Sequence, residues 1–143
     1  MNRILQSLIT FALLAACKPV PIPEPPSGPP EVKLPAHYEW VKVDAAEQLI
    51  ASTPDLQIMD VRSDPEIKNG DGWLKGARWA SYLHDNRRFL EVWEKDKPWL
   101  VYCALGPRSE LTAADMAALG YKKVYLLEGG FNAWMAAHKP VQK

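Results

Sequence analysis

Apolar residues in this chain fall in short runs separated by turn formers, and the runs alternate with stretches of helical periodicity. Tyr38 to Val43 reads as a short strand, and Asp44-Ala-Ala-Glu47 as a capping-box start for a helix through Ala51. Leu56 to Val61 reads as a second strand, and Asp64-Pro65-Glu66 as the cap and first turn of a short helix ending near Gly70. Gly76 to Ser81 predicts another strand, Asp85 the cap of a helix through Trp93, and Trp99 to Tyr102 the next strand. From Ser109 the apolar positions Leu111, Ala114, Ala118 and Leu119 recur at helical spacing until Gly120 stops them. Val124 to Leu127 predicts the last strand, and Phe131 to Ala137 the last helix. Strands alternating with helices imply an α/β fold, a parallel central sheet of about five strands with helices on both faces.

Composition narrows the setting. The chain has 143 residues, 48% of them hydrophobic, and zero formal net charge, which suits one ordinary domain and gives no basic surplus for nucleic acid.

The first 36 residues stand apart from the predicted domain at 37–143. Met1-Asn-Arg3 is positively charged, Ile4 to Ala16 is a largely apolar stretch, and Leu14-Ala-Ala-Cys17 closes it with small residues. That stretch is short for a permanent membrane span. Leu-Ala-Ala-Cys resembles the lipobox of bacterial lipoproteins, which implies a signal peptide at 1–16 and lipid on Cys17 as the first mature residue. A plain cleaved signal peptide with Cys17 as a free thiol is the alternative. The resemblance predicts a bacterial cell-envelope protein, lipid-anchored and facing the periplasm. Lys18, where an aspartate would resemble an inner-membrane retention signal, favours the outer membrane. Residues 17–36 hold the lipidation site and a tether carrying eight of the thirteen prolines, which could reach roughly 55 Å if extended. No clean repeated Pro-x-x-Pro pattern marks it as a ligand for a partner domain, so it reads as spacer.

The chemistry gathers at Cys103. This cysteine ends the run Pro98-Trp-Leu-Val-Tyr-Cys103 and is followed by Ala104-Leu105-Gly106-Pro107-Arg108-Ser109 and the helical pattern. A thiol between a strand end and a helix start meets loop amides and the positive end of the helix, which favour the nucleophilic thiolate and can cradle an anion. Gly106 lets the loop turn, whereas Pro107 has no N–H to offer. A buried structural cysteine is the alternative reading.

Asp60-Val-Arg62, Gly72-Trp-Leu-Lys-Gly76-Ala77, Val101-Tyr-Cys103-Ala-Leu-Gly106-Pro-Arg108-Ser109 and Leu127-Glu-Gly-Gly130-Phe-Asn-Ala-Trp134 together resemble, in order and spacing, the single-domain rhodanese family. The resemblance implies a sulfurtransferase that moves a sulfane sulfur from a small donor such as thiosulfate to cyanide or a thiol through a Cys103 persulfide, with no cofactor. Ala104 to Ser109 would form the binding loop, and Arg108 would orient it and offset negative charge. The covalent intermediate predicts ping-pong kinetics.

Two further classes compete. Cys-based phosphatases and arsenate reductases resemble a C-x5-R pattern, whereas Cys103 to Arg108 is C-x4-R, a shorter ring that suits one sulfur better than a tetrahedral oxyanion. A non-catalytic rhodanese-like binding or sensing module is the other class. Trp73 and Lys75 stand where the family commonly has histidine and proline, and Ala104 and Leu105 where polar or basic residues are frequent. Arg108 is then the only charge in the loop, which weakens attraction for doubly negative thiosulfate unless Lys75 or Arg78 supplies more.

With Cys17 lipidated, Cys103 is the only thiol, so no internal resolving cysteine is available and the sulfur must leave to an external acceptor. Asp60 and Arg62 are expected to brace strand ends, with a direct catalytic role the lesser reading. His37, His84 and His138 share no metal-ligand spacing, so no metal site is predicted. Trp99 and Trp134 fit core positions; Trp73 and Trp79 could line a pocket or a partner surface, with core packing the preferred reading. No protein partner is identified by the sequence.

Overall fold

The computed structural model describes residues 38–84 and 86–143. The expected lipobox and tether, His37 and the expected helix cap Asp85 lie outside the described residues. Five strands form one parallel sheet: β1 (Tyr38–Val41), β2 (Gln57–Asp60), β3 (Ala77–Trp79), β4 (Pro98–Tyr102) and β5 (Lys123–Leu127), in the spatial order β1-β5-β4-β2-β3. Between and after them run α1 (Val43–Ser52), α2 (Asp64–Lys68), α3 (Arg87–Val92), α4 (Pro107–Ala118) and α5 (Gly130–Ala136).

Strand alternation sorts the core into two layers. On β4, Trp99, Val101 and Cys103 face one side, where they meet Leu90, Ala113 and Met116 from α3 and α4. Leu100 and Tyr102 face the other side and meet Ala46, Phe131 and Trp134 from α1 and α5. Strand β4 is central and buried on both faces, which explains its unbroken apolar run. Trp99 anchors an aromatic stack with Trp93 at 5.3 Å and an edge contact with Tyr121 at 5.9 Å, and its Nε1–H donates to the Glu94 carbonyl.

Several local expectations are corrected. Helix α1 starts from Lys42, not from a capping box on Asp44, because Val43 is drawn into the core and takes the first helical position. Asp44 instead pairs with Lys139 at 2.8 Å. The cap of α2 is Ser63, one residue before the expected Asp64; its backbone N–H donates to the Glu66 carboxylate at 2.8 Å in a capping box. The buried face of α4 is Ser109, Thr112, Ala113 and Met116, whereas Leu111 is 43% exposed. Ser109 and Thr112 can be buried because their hydroxyls donate to the carbonyls of Gly106 (2.6 Å) and Arg108 (2.9 Å). Trp79 is not a core residue: it sits on the edge strand β3 and is 44% exposed, with its Nε1–H donating to the Arg62 carbonyl at 2.8 Å. Trp73 is half-buried, and Trp99 and Trp134 are core residues as expected.

Candidate active site

Cys103 lies one residue beyond the carboxyl end of β4, where parallel sheets gather their sites. Alternation aims its side chain towards α4, and the residue is 1% exposed. The loop that follows closes tightly around the sulfur. Gly106 N–H donates to Sγ at 3.0 Å. Gly106 has a φ of 133°, a region that L side chains rarely adopt, and an added Cβ would stand 3.3 Å from the Trp40 ring. Pro107 then opens α4 at a position where a missing N–H costs nothing, and Ser109 ties the helix entry back to the Gly106 carbonyl.

The other side of the loop is held by α5. Phe131 N–H donates to the Cys103 carbonyl at 2.8 Å, and Asn132 N–H to the Ala104 carbonyl at 3.0 Å. That approach requires Gly130: its φ is 60°, and a Cβ there would collide with the Cys103 and Ala104 carbonyls. The Gly129-Gly130 pair noted in the sequence is thus the seat of the cysteine loop.

Arg108 does not point freely into solvent. Its Nη1 and Nη2 donate to Oε2 and Oε1 of Glu66, each at 2.6 Å, in a forked pair between α4 and α2. The same carboxylate accepts the Ser63 backbone N–H and the Ser63 hydroxyl. The Arg108 guanidinium holds Glu66 well below the usual carboxylate range, at about 2, aided by Ser63 and opposed by partial burial. In turn Glu66 pushes the Arg108 pKa up, with Cys103 adding to the same direction. The sequence offered Glu66 only as a helix-start residue. It is 42 positions from Arg108, and only the topology brings the two together.

Asp60 and Arg62 form the brace the sequence suggested. Arg62 Nε and Nη2 donate to the Asp60 carboxylate at 2.7 to 3.1 Å, and Nη2 also reaches the Gly72 carbonyl at 2.7 Å. The Tyr102 hydroxyl donates to Asp60 Oδ2 at 2.7 Å and accepts the Leu74 N–H at 3.2 Å. Burial, with Asp60 adding, pushes the Tyr102 phenol far up. The Arg62 guanidinium lies 3.7 Å from the Phe131 ring centroid, stacked on the residue whose N–H holds the Cys103 carbonyl. The pair supports the loop from beneath.

Outside the loop, a shallow depression of about 430 Å³ is lined by Trp40, Leu105, Glu128 and Gly129. Trp40 and Glu128 were not singled out in the sequence; their closeness follows from the pairing of β1 with β5. Lys75 and Arg78 do not line it. Lys75 lines a separate apolar cavity of about 420 Å³ with Ile50, Trp134 and Val141. Arg78 pairs with Glu94 at 3.0 Å and stacks over Trp93 and Trp99 at 4.3 and 4.7 Å. A smaller cavity of about 230 Å³ lies between Asp60, Ile67, Trp73, Ala77 and Trp79. Among the described residues no three His, Cys, Asp or Glu side chains cluster as metal ligands, and no helix is long and apolar enough to cross a membrane.

Comparison with known proteins places this geometry. Residues 42–137 match the rhodanese-like domain family. The thiosulfate sulfurtransferase GlpE of Vibrio cholerae is 31% identical over 108 residues, which are 74% of this chain and 96% of that protein. GlpE of Coxiella burnetii is 42% identical over 88 residues, 59% of this chain and 76% of that protein. A solved structure from Rhodopseudomonas palustris, described as a protein of unknown function and possible tyrosine phosphatase, superposes with a TM-score of 0.62 at 32% identity, covering 73% of this chain and 85% of that one.

Proposed function

From the premise that the chain belongs to the rhodanese-like domain family, and with two thiosulfate sulfurtransferases among its relatives, we propose that it transfers sulfane sulfur through a persulfide on Cys103. The supporting observation is the Cys103 loop itself: a nucleophile at a strand end, with the Gly106 N–H 3.0 Å from its sulfur and Arg108 fixed beside it. In the first half-reaction the Cys103 thiolate attacks the outer sulfur of thiosulfate. The S–S bond breaks, sulfite leaves with the electron pair, and Cys103 carries the added sulfur. A thiol or cyanide then attacks that sulfur and restores the thiolate. Ala104 to Ser109 contribute the cradle, Arg108 offsets charge, and Asp60 and Arg62 hold the floor in place.

We further propose that the protein lies in the cell envelope. The Leu-Ala-Ala-Cys17 sequence and the proline-rich stretch after it support lipid anchoring on the periplasmic side, with the outer membrane favoured.

The decisive experiment is mass spectrometry of the purified full chain before and after thiosulfate, with Cys103→Ser beside it. One added sulfur atom on the wild type, absent from the variant and lost on adding cyanide, is the expected result. An unchanged mass with thiosulfate and with a hydropersulfide donor alike, with the protein folded, would make the domain a binding module. A phosphatase reading draws on the description of the Rhodopseudomonas protein. It fits this chain less well, since the four residues between Cys103 and Arg108 include Pro107, which has no amide for an oxyanion. Hydrolysis of an aryl phosphate lost in Cys103→Ser would revive it.

A further inference from the structure

Thiosulfate brings two negative charges to a thiolate that already carries one, so its transfer gathers three charges at one sulfur. A hydropersulfide R–S–SH on an uncharged carrier brings none when protonated and one when ionised, fewer than thiosulfate in either form. In that reaction the Cys103 thiolate attacks the terminal sulfur and the S–S bond breaks. The carrier thiolate RS⁻ leaves with the electron pair and takes up a proton, and Cys103 keeps the –SH sulfur. No oxidant or reductant is needed for either donor. Which one a site accepts depends on the charge it presents.

Counted in charged side chains, the surroundings of Cys103 carry no surplus of cations. Arg108 is the loop's only cation, and both arms of its guanidinium are taken by Glu66 at 2.6 Å. Ala104, Leu105 and Pro107 are uncharged. Glu110 stands in the first turn of α4, and Glu128 lines the shallow depression outside the loop, taken as its mouth, beside the apolar Trp40 and Leu105. Lys75 lines another cavity, and Arg78 is paired with Glu94. Lys42 lines a neighbouring depression that shares Glu128 and Gly129 with the mouth, not the mouth itself. The loop's one guanidinium is therefore matched by the Glu66 carboxylate, and the depression outside the loop adds Glu128 and no cation.

We propose that this site is built for a sulfur donor of low charge, a hydropersulfide on an uncharged, partly apolar carrier, and that Glu66 is the positioning residue that sets the preference by neutralising Arg108. The proposal rests on the sulfurtransferase reading above. Glu66 does not touch the reacting sulfur; it acts through Arg108. Trp40 and Leu105 offer the carrier an apolar wall, and thiosulfate has no apolar part to use it.

The test measures second-order rate constants for adding one sulfur to Cys103 in the full chain, by mass spectrometry, with thiosulfate and with 2-hydroxyethyl hydropersulfide. The wild type should favour the hydropersulfide by on the order of tenfold or more. Glu66→Gln keeps a residue able to complete the capping box and frees Arg108 of its counter-charge. It should raise the ratio of thiosulfate to hydropersulfide rate constants by roughly three- to tenfold, and should make the thiosulfate rate fall with added salt where the wild type barely responds. Glu128→Gln, at the mouth, should move the ratio in the same direction by less, and carries the test if Glu66→Gln does not fold. A wild type that favours thiosulfate, or variants that slow both donors alike and leave the ratio fixed, would overturn the proposal. A wild type that gains sulfur from neither donor overturns the sulfurtransferase reading itself, a result distinct from an unshifted ratio.

Discussion

The domain contains two forked arginine–carboxylate pairs that share geometry and differ in surroundings. Arg62 and Asp60 are sealed under the ends of β2 and β4, with side chains 2% and 1% exposed. Arg108 and Glu66 join α4 to α2 at the rim of the cysteine loop, 24% and 32% exposed. The inner pair is held from several sides: Tyr102, the Gly72 carbonyl, the Arg62 N–H and the Phe131 ring all contact it. The outer pair keeps an open flank. A sealed pair fixes where chain segments sit, whereas an open one remains within reach of a ligand's charge. The difference teaches that a forked pair is read by what else touches it, not by its distance.

The sharpest way to break this comparison is to remove one partner of the inner pair. Arg62→Met leaves the Asp60 carboxylate buried with only the Tyr102 hydroxyl and one backbone N–H. Stability should fall by about 3–5 kcal/mol, since the loss of one partner strands a charge in a low-dielectric interior. A urea midpoint read by tryptophan fluorescence measures it. Adding Asp60→Leu to Arg62→Met should recover part of the loss, because no charge is then stranded. Recovery stays incomplete, since the Gly72 carbonyl and the Tyr102 hydroxyl lose partners. A single Arg62 variant as stable as the wild type would show that the inner pair is not the brace.

A smaller effect isolates the hydroxyl that completes the pair. Tyr102→Phe keeps the ring against Phe131 and removes only the oxygen between Asp60 and the Leu74 N–H. About 1–2 kcal/mol should be lost, in the range for a buried hydrogen bond whose partners stay behind.

These two regions were unequally legible in the sequence. The inner pair lies within one short motif, Asp60-Val-Arg62, and alternation places Cys103 on the face of Val101, so the brace and the nucleophile could be read from local pattern. The outer pair could not: Glu66 and Arg108 are far apart in sequence and meet only because β2 and β4 are sheet neighbours. The same limit misled the reading of α4. Its apolar periodicity pointed to Leu111, but the buried stripe runs through Ser109 and Thr112, whose hydroxyls are satisfied by the loop's own carbonyls. Trp79 misled for a related reason: a large aromatic suggests a core, but its place on the edge strand is a property of the sheet as a whole.

The smallest effect concerns the outer pair and depends on pH. Glu66→Ala at neutral pH should cost about 1 kcal/mol, combining a partly exposed ion pair with half of a capping box. Below neutrality the pair has a defined window. Arg108 lowers the Glu66 pKa from an ordinary 4.5 to about 2 in the folded protein, so folding favours the ionised carboxylate. A depressed acid adds stability that is present in full above the unfolded-state value and is lost as pH falls through the folded-state value. The stability difference between wild type and Glu66→Gln should therefore be constant above pH 5 and shrink between about 4.5 and 2, where Glu66 takes up its proton. Thermal midpoints of the two proteins, measured in parallel across that range, give the difference directly. Parallel curves down to pH 2 would mean that Arg108 gives Glu66 no net stabilisation in solution, and would remove the outer pair from the comparison altogether.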